Sequence, residues 1–182
     1  MRWSHPEMQG DLPPPRCTHS ATLVGRKVVV IGGGGGASYY NNVYVFDILT
    51  CRWSRPAFMT TDVPPPRCAH TTVLYQNKIL VFGGGNGLQA LNNVWTLDVG
   101  SSLDGMRSEQ VTISGPKQPS SRGYHTAVLV QDVMTGVGGS NGRESFWDIW
   151  CPNLSMWPLL PSFLALMTTS LSSSVPNTNT RI

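Results

Sequence analysis

The feature that most constrains this chain is an internal repeat. The segment Pro64-Pro-Pro-Arg-Cys-Ala-His70 and the Gly83-Gly84 pair after it have near copies 51 positions earlier, at residues 13–19 and 32–33. A weaker third copy begins at Arg122. Repeats of about 50 residues are typical of solenoids and propellers, in which each unit buries its apolar face only against its neighbours.

Three spacings are the same in all three copies. The arginine precedes the histidine by three residues, the histidine precedes the Gly-Gly pair by 13, and the second glycine precedes an Asn or Asp by nine. Independent loops would not preserve all three spacings, so we expect one structural unit and structural roles for its repeated residues. These are Arg16, His19, Gly32, Gly33, Tyr44 and Trp53; Arg67, His70, Gly83, Gly84 and Trp95; and Arg122, His125, Gly138, Gly139 and Trp150.

The composition and the apolar pattern favour short strands over helices. The 182 residues include 19 Gly and 14 Pro, and only 13% are charged. In the first unit, β-branched runs at 18–24 and 27–31 flank Gly25-Arg26, a pair suited to a two-residue hairpin turn. Further strands are predicted at 43–48 and around Trp53, so each unit is one four-stranded, blade-sized sheet. The chain is therefore predicted to be all-β.

The domain is predicted to cover residues 1–157. Arg2-Trp-Ser4 matches Arg52-Trp-Ser54, so residues 2–4 are predicted to form an outer strand separated from the rest of its unit. The third unit is degraded, because Gly136 stands where the other units carry valine and Pro152 cannot donate to a strand ladder. The units are predicted at about 13–54, 64–113 (with its fourth strand at 109–113) and 119–157, followed by an unstructured tail at 158–182.

Each unit resembles a kelch repeat, which is one blade of a β-propeller. The resemblance rests on Arg-x-x-His, the apolar hairpin that ends in Gly-Gly, the Asn-Asn/Asp-Val-Tyr/Trp strand and the later Trp, and it covers roughly residues 2–157. It is strongest to fungal and plant-type kelch scaffold proteins and more distant to the central domain of galactose oxidase. The resemblance implies a partial β-propeller of about three four-stranded kelch blades.

Three units are fewer than the four to eight blades that propellers usually contain. The pattern is lost increasingly after Gln131, which favours a truncated or frameshifted product. The alternatives are a fragment, a three-blade ring closed through Trp3, or a ring completed by a second copy. Open blade edges favour self-association or aggregation, so a non-functional product is also considered.

No catalytic residue, metal site or cofactor is predicted. The glycines at 32–36 lack the Gly-Lys-Ser/Thr of a phosphate-binding loop. The repeated histidines could form a metal ring, but repetition with the blade period favours a structural role. The resemblance leaves a galactose oxidase-like copper oxidase as an enzymatic alternative. Its copper ligands cannot be placed here, although Tyr124-His125 is a Tyr-His pair.

Binding is the function that the pattern favours. Loops before Arg-x-x-His and after Gly-Gly are predicted to share one rim, where loops carry function on a rigid scaffold. We expect a non-enzymatic interaction module or scaffold that binds a protein or peptide there, since tyrosine and amide side chains suit such partners. The candidate binding residues are Tyr39, Tyr40, Asn86, Gln89, Asn141 and Arg143.

Charge and hydropathy argue against other partners. The net charge of +3 is small and scattered, so nucleic acid is not expected. The apolar run at 159–167 is too short to span a bilayer, and no secretory signal is recognised at the start of the chain, so no membrane is expected. We therefore expect a cytoplasmic protein whose four cysteines are reduced thiols.

Overall fold

A computed structural model describes residues 1–100, 103–113, 115 and 117–155. As predicted, this part of the chain is all-β: its strands form three larger sheets and one small hairpin, with no helix and no closed barrel. It accordingly contains no helix long and apolar enough to cross a membrane. The three sheets correspond to the three repeats, called units 1, 2 and 3 below. The tail predicted at 158–182 lies outside the described residues.

Unit 1 is a five-stranded sheet with the strand order β1-β7-β6-β3-β2. The predicted turn at Gly25-Arg26 joins β2 to β3, and Val24 pairs with Lys27 across it. The short strand β1 runs parallel to β7 and adds a fifth strand to the four that were predicted. The strands are β1 (Gln9–Gly10), β2 (Ser20–Val24), β3 (Lys27–Ile31), β4 (Gly34–Gly35), β5 (Ser38–Tyr39), β6 (Val43–Asp47) and β7 (Arg52–Ser54), of which β4 and β5 form the small hairpin.

Unit 2 repeats this arrangement with β8 (Ala57–Phe58), β9 (Thr71–Tyr75), β10 (Lys78–Phe82), β11 (Val94–Asp98) and β12 (Gly105–Val111). The order is β8-β12-β11-β10-β9, and β8 is parallel to β12. The outer strand was predicted at 109–113, but it begins earlier. Met106 and Ser108, which are 1% and 6% exposed, point into the protein and alternate with outward-facing residues. The segment before residue 109 therefore has the pattern of a strand, and it pairs with β11.

Unit 3 contains β13 (Thr126–Val130), β14 (Val133–Val137) and β15 (Ile149–Trp150), in the order β13-β14-β15. Up to residue 155 it has no fourth strand, in agreement with the predicted degradation. Pro152 shortens β15 without shifting its register, because Met134 N still donates to Pro152 O at 3.1 Å and Val133 forms a bridge with Asn153. The proline therefore removes one donor from the ladder and leaves the alignment intact.

The outer strand predicted at residues 2–4 is wrong. These residues have no strand pairing, and Trp3 is 91% exposed. The first paired segment is β1, where Gln9 N donates to Cys51 O at 3.1 Å. A strand needs a neighbouring backbone to bond, and the repeated Arg-Trp-Ser sequence does not supply one by itself.

The three sheets stack face to face and bury two cores. Alternate side chains of β10 point into opposite cores, which explains why this strand is apolar throughout. Between units 1 and 2 lie Val29, Ile31, Val43 and Val45 of unit 1 with Ile79, Val81, Trp95, Leu97, Val99 and Met106 of unit 2. Between units 2 and 3 lie Val73, Tyr75, Leu80 and Phe82 of unit 2 with Met134 and Leu154 of unit 3.

Candidate functional site

The repeated arginine ties the segment before each hairpin to the sheet of its own unit. Arg67 Nη1 donates to Gly83 O and to Asn93 Oδ1, both at 3.0 Å. These partners lie 16 and 26 residues further along the same unit, so the arginine bonds within one blade and not between blades. The same contacts join Arg16 to Gly32 and Asn42, and Arg122 to Gly138 and Asp148.

Backbone hydrogen bonds, rather than arginine side chains, join each unit to the next. At the junction of units 1 and 2, Gly33 N donates to Arg67 O at 2.9 Å and Arg67 N donates to Tyr40 O at 3.1 Å. In addition, Ala69 N donates to Thr18 O at 2.8 Å. The same three bonds recur at the junction of units 2 and 3, from Gly84 N to Arg122 O, from Arg122 N to Leu91 O and from Tyr124 N to Ala69 O.

In units 1 and 2, the first glycine of the Gly-Gly pair lies at these junctions. Gly32 has a φ of 60°, and a Cβ added to it would lie 2.7 Å from Arg67 O. Gly83 has a φ of 63°, and its added Cβ would lie 2.6 Å from Arg122 O. Both positions therefore require glycine for backbone conformation and for space. Gly138 has a φ of 67°, but only Phe146 O lies near its added Cβ, at 3.2 Å.

The repeated histidine bonds a hydroxyl group of the preceding unit. His70 Nε2 lies 2.8 Å from Ser20 Oγ, and His125 Nε2 lies 2.8 Å from Thr71 Oγ1. Burial lowers the pKa of His70 to about 3 and that of His125 to about 4, so both imidazoles are neutral at pH 7. The sequence contained a signal for this contact, since a serine or threonine follows the histidine in every copy.

A ring of metal-binding histidines, the less favoured alternative above, is not assembled in the described part of the chain. His19 is exposed, while His70 and His125 are buried at different junctions. Within residues 1–155, apart from the four undescribed positions, no group of three or more His, Cys, Asp or Glu side chains is placed to hold a metal ion. Tyr124 is 74% exposed beside the buried His125, so this adjacent pair does not face a common site.

The repeated aromatic residues lie in or beside the cores. Trp95 is 4% exposed in the core between units 1 and 2. Tyr44 is 5% exposed, with the Arg16 guanidinium 4.8 Å from its ring centroid and Trp53 packed edge-on at 6.5 Å. Trp150 is half-buried, and its Nε1 donates to Asp148 Oδ2 at 2.6 Å.

The two families of loops meet at one end of the sheets. Isolated bridges join Cys17 to Gly34, Cys68 to Gly85 and Gly123 to Ser140, so the segment before each histidine lies against the loop after the Gly-Gly pair of its unit. We call the loops at 34–41, 85–92 and 140–147 the rim. Each rim loop is closed by its own short pairing, Gly34 with Tyr39, Gly85 with Ala90 and Ser140 with Ser145.

Three of the six candidate binding residues hold the rim in shape. Asn86 Oδ1 accepts hydrogen bonds from the backbone of Leu88 and Gln89, at 3.0 and 2.9 Å. Asn141 Oδ1 accepts the equivalent bonds from Arg143 and Glu144, both at 2.9 Å. Tyr40 is half-buried, and its ring centroid lies 4.9 Å from the Arg16 guanidinium. These contacts occupy the amide oxygens and the tyrosine ring, so they fix the loops locally.

The other three candidates, Tyr39, Gln89 and Arg143, are exposed on the rim. Tyr39 also crosses to the next loop, because a Cβ added to Gly87 would lie 2.6 Å from its Cε2. The loops of units 1 and 2 therefore form one surface, whereas no described contact joins Arg143 to them. Leu88 and Trp147, which are 94% and 91% exposed, were not among the predicted binding residues; a large apolar side chain in a mostly polar loop was the available signal.

Comparison with known proteins gives one family over most of the chain. The family model of the KLHDC2/KLHL20/DRC7 Kelch-repeats domain matches residues 1–159. Kelch domain-containing protein 1 of Mus musculus is 35% identical over 117 residues, which cover 63% of this chain and 28% of that protein. Host cell factor of Drosophila melanogaster is 26% identical over 196 residues, covering 93% of this chain and 13% of that protein.

A probable serine/threonine-protein kinase of Dictyostelium discoideum is 32% identical over 124 residues, which cover 66% of this chain and 9% of that protein. The chain therefore spans less than a third of the length of each of these three relatives. The match to the family model includes all three repeats described above.

Proposed function

The chain belongs to the kelch-repeat family, and on that premise we propose that it is a non-enzymatic interaction module that binds a protein or peptide partner at its rim. Kelch-repeat domains are generally protein-interaction modules. The observation that carries the proposal is the packing of Tyr39 against Gly87, which joins the loops of two units into one surface. A surface that continues across units can contact more of a partner than a single loop can.

The exposed side chains of this surface have the chemistry of an interface centre. Tyr39 is 38% exposed and Leu88 is 94% exposed, and Gln89 lies beside Leu88 with its side chain in solvent. Tyrosine is among the residues that supply most of the binding energy in protein interfaces, apolar side chains make up much of the buried centre, and neighbouring amides fix orientation. Leu88 and Tyr39 are therefore the expected anchors.

The rim is also held in one conformation before a partner arrives. The Oδ1 bonds of Asn86 and the bridge between Gly85 and Ala90 close the unit 2 loop. In unit 1, a shallow groove lined by Pro14, Arg16, Gly35 and Tyr40 lies beside the loop. A preformed surface loses less conformational freedom on binding, which increases affinity.

Selection from a random peptide-display library on the immobilised full chain tests the proposal. We expect enriched peptides whose affinity, measured by calorimetry, falls at least about tenfold in Tyr39→Ala and in Leu88→Ala, a loss of ~1.4 kcal/mol. Leu49→Ala is the matched control, because Leu49 is 73% exposed in the turn after β6, at the end of the sheet away from the rim. Enriched peptides that bind all three variants as tightly as the unmodified chain, or no enrichment, would refute binding at the rim.

A further inference from the structure

We propose that the two end faces of this chain are complementary, and that two copies associate head to tail, each placing its unit 1 against unit 3 of the other. The two faces lie on the first and last sheets of the stack, away from the rim surface. The proposal is thus independent of partner binding by the rim loops.

The outer face of unit 3 has the side chains of a core but is uncovered. Val128, Val130 and Val137 are 53%, 58% and 38% exposed. They occupy the repeat positions of Val73, Tyr75 and Phe82, which are 6%, 7% and 6% exposed where unit 3 covers unit 2. Ile149, at the repeat position of Val94, is 63% exposed and extends the same face. Such a contiguous apolar sheet face indicates a surface that another sheet covers.

The outer face of unit 1 has the complementary set of side chains. His19 occupies the repeat position of His70 and is exposed, whereas His70 is 6% exposed. Leu23, which is 57% exposed, stands at the position of Leu74, which packs against the core between units 1 and 2. At these two positions unit 1 therefore presents the side chains that units 2 and 3 each place on the unit before them.

The backbone groups left over at the two ends also match one another. The same three hydrogen bonds form at both junctions within the chain. Between unit 3 of one copy and unit 1 of another, their equivalents would run from Gly139 N to Arg16 O, from Arg16 N to Phe146 O and from Thr18 N to Tyr124 O. Over the described residues none of these six groups has a hydrogen-bond partner. The exposed His19 of one copy would likewise bond the exposed Thr126 of the other, as His70 bonds Ser20 and His125 bonds Thr71.

A second copy supplies every missing partner at once. Two copies joined at both ends form a closed stack of six units, which lies within the four to eight blades usual for propellers. The segment at 156–182 contains no histidine, so it lacks the side chain that bonds the equivalent hydroxyl at both junctions. The face is therefore assigned to unit 1 of another copy.

Paired cysteine variants test the geometry directly. Thr22 Oγ1 lies 2.7 Å from Thr72 Oγ1 across the junction of units 1 and 2, and the equivalent positions at the chain ends are Val128 and Ala21. A contact this close places the two Cβ atoms within reach of a disulfide. We expect an equimolar mixture of Ala21→Cys and Val128→Cys chains to form a reducible covalent species of twice the 19.8 kDa of one chain after mild oxidation.

Each single variant alone, and the unmodified chain with its four native cysteines, set the background for this experiment. Cross-linking of the mixture above that background supports the head-to-tail contact. A mixture that cross-links no more than the single variants overturns it.

The oligomeric state is a second and independent test. Light scattering after size exclusion should give twice the mass of the 19.8 kDa chain, and Val128→Lys should give the mass of one. Circular dichroism confirms that the variant is folded, and Leu49→Lys, at an exposed apolar residue in the turn after β6, should leave the pair intact. A monomeric unmodified chain, with the face covered by residues 156–182 or by another protein, overturns the proposal, as does an open series of larger assemblies.

Discussion

Arg122 donates two hydrogen bonds to Asp148, from Nη1 at 2.6 Å and from Nη2 at 2.9 Å, whereas Arg16 and Arg67 meet an asparagine at the same repeat position. The Nη2 atoms of Arg16 and Arg67 are consequently buried without a hydrogen-bond partner. The bonds from Arg122, and then that from Trp150, lower the pKa of Asp148 to about 2. The unit with the weakest sequence match thus has the most completely bonded arginine.

Asn93→Asp should stabilise the protein, because it offers the buried Arg67 a carboxylate with the geometry that Asp148 has in unit 3. Burial without a counter-ion lowers the pKa of Arg67 to about 10, which shows how poorly its charge is solvated. We expect a gain of about 1 kcal/mol in the free energy of unfolding, measured by urea denaturation. Asn42→Asp beside the less buried Arg16 should give a smaller gain. A loss of stability in Asn93→Asp would mean that burying the new carboxylate costs more than the pair returns.

Asp148→Asn should destabilise unit 3. The substitution removes the charge-assisted bonds from Arg122, which is 2% exposed, and returns its Nη2 to the unbonded state of Arg67. The expected loss is ~1–3 kcal/mol by urea denaturation. Glu144→Gln, at an exposed carboxylate of the unit 3 rim loop, serves as the control for removing one charge and should change stability by less than about 0.5 kcal/mol. Equal effects of the two substitutions would show that the Arg122 contact is unimportant.

His70 and Ser20 should show energetic coupling across the junction of units 1 and 2. Their side chains lie 2.8 Å apart, and His70 is 6% exposed, so removal of Ser20 leaves Nε2 of a buried imidazole without this partner, and removal of His70 does the same to the half-buried Ser20 hydroxyl. In a double-mutant cycle of His70→Ala and Ser20→Ala, the coupling free energy should be ~1 kcal/mol. Strictly additive losses would show that this hydrogen bond does not hold the units together.

Stability should fall as the pH is lowered from about 6.5 towards 4. Burial lowers the pKa of His70 to about 3 and that of His125 to about 4, whereas unfolded histidine titrates near ~6.5. In this window the unfolded chain takes up protons that the folded chain does not, so the histidine contribution is complete above the unfolded pKa and decreases below it. Asp148, whose pKa is lowered in the folded chain, reduces the stability further only at pH values below the pKa of unfolded Asp.

The slope of this decline should approach ~1.4 kcal/mol per pH unit for each histidine. Urea denaturation at a series of pH values measures it, and His70→Asn should flatten the curve over the same window. His5→Asn, at an exposed residue before β1, should not alter the slope. A free energy of unfolding that stays constant from pH 6.5 to 4 would show that these imidazoles are not buried as described.

Two glycines of unit 3, two residues apart, should respond oppositely to alanine. Gly136 has no positive φ, and its added Cβ would find its nearest neighbours 4.0 Å away, so Gly136→Ala should stabilise by ~0.5–1 kcal/mol. Gly138 has a φ of 67°, so Gly138→Ala should destabilise by ~1–2 kcal/mol. Thermal unfolding monitored by circular dichroism distinguishes the two. Changes of the same sign would contradict the assigned backbone conformations.

Much of the fold could be predicted from the repeat spacing. The hairpin turns, the four antiparallel strands of units 1 and 2 and the loss of pattern in unit 3 all follow from local sequence. The parallel strands β1 and β8 could not be predicted in this way, because a strand of two residues is too short to show a period. Residues 2–4 were misassigned because similarity to Arg52–Ser54 predicts a conformation but provides no neighbouring strand.

The site was harder to predict because spacing does not identify contact partners. Three equivalent arginines could bond within or between units with the same repeat distances, and only the structure shows that Arg67 reaches Asn93 of its own unit. Asn86 and Asn141 suited a binding surface by composition, yet their Oδ1 atoms hold the turns of their own loops. Leu88 was overlooked because a single apolar residue between polar ones has no period.

The arginine side chains bond within a unit, whereas backbone hydrogen bonds join one unit to the next, and this difference affects the order of folding. Arg67 needs only residues up to Asn93 to form its side-chain hydrogen bonds, whereas the same unit forms its junction with unit 3 only when Arg122 is present. As the chain leaves the ribosome, each sheet can close its own loop before the following sheet exists to dock on it. Short-range closure followed by stepwise docking lowers the entropy cost of each step, so synthesis itself favours assembly from the first sheet to the last.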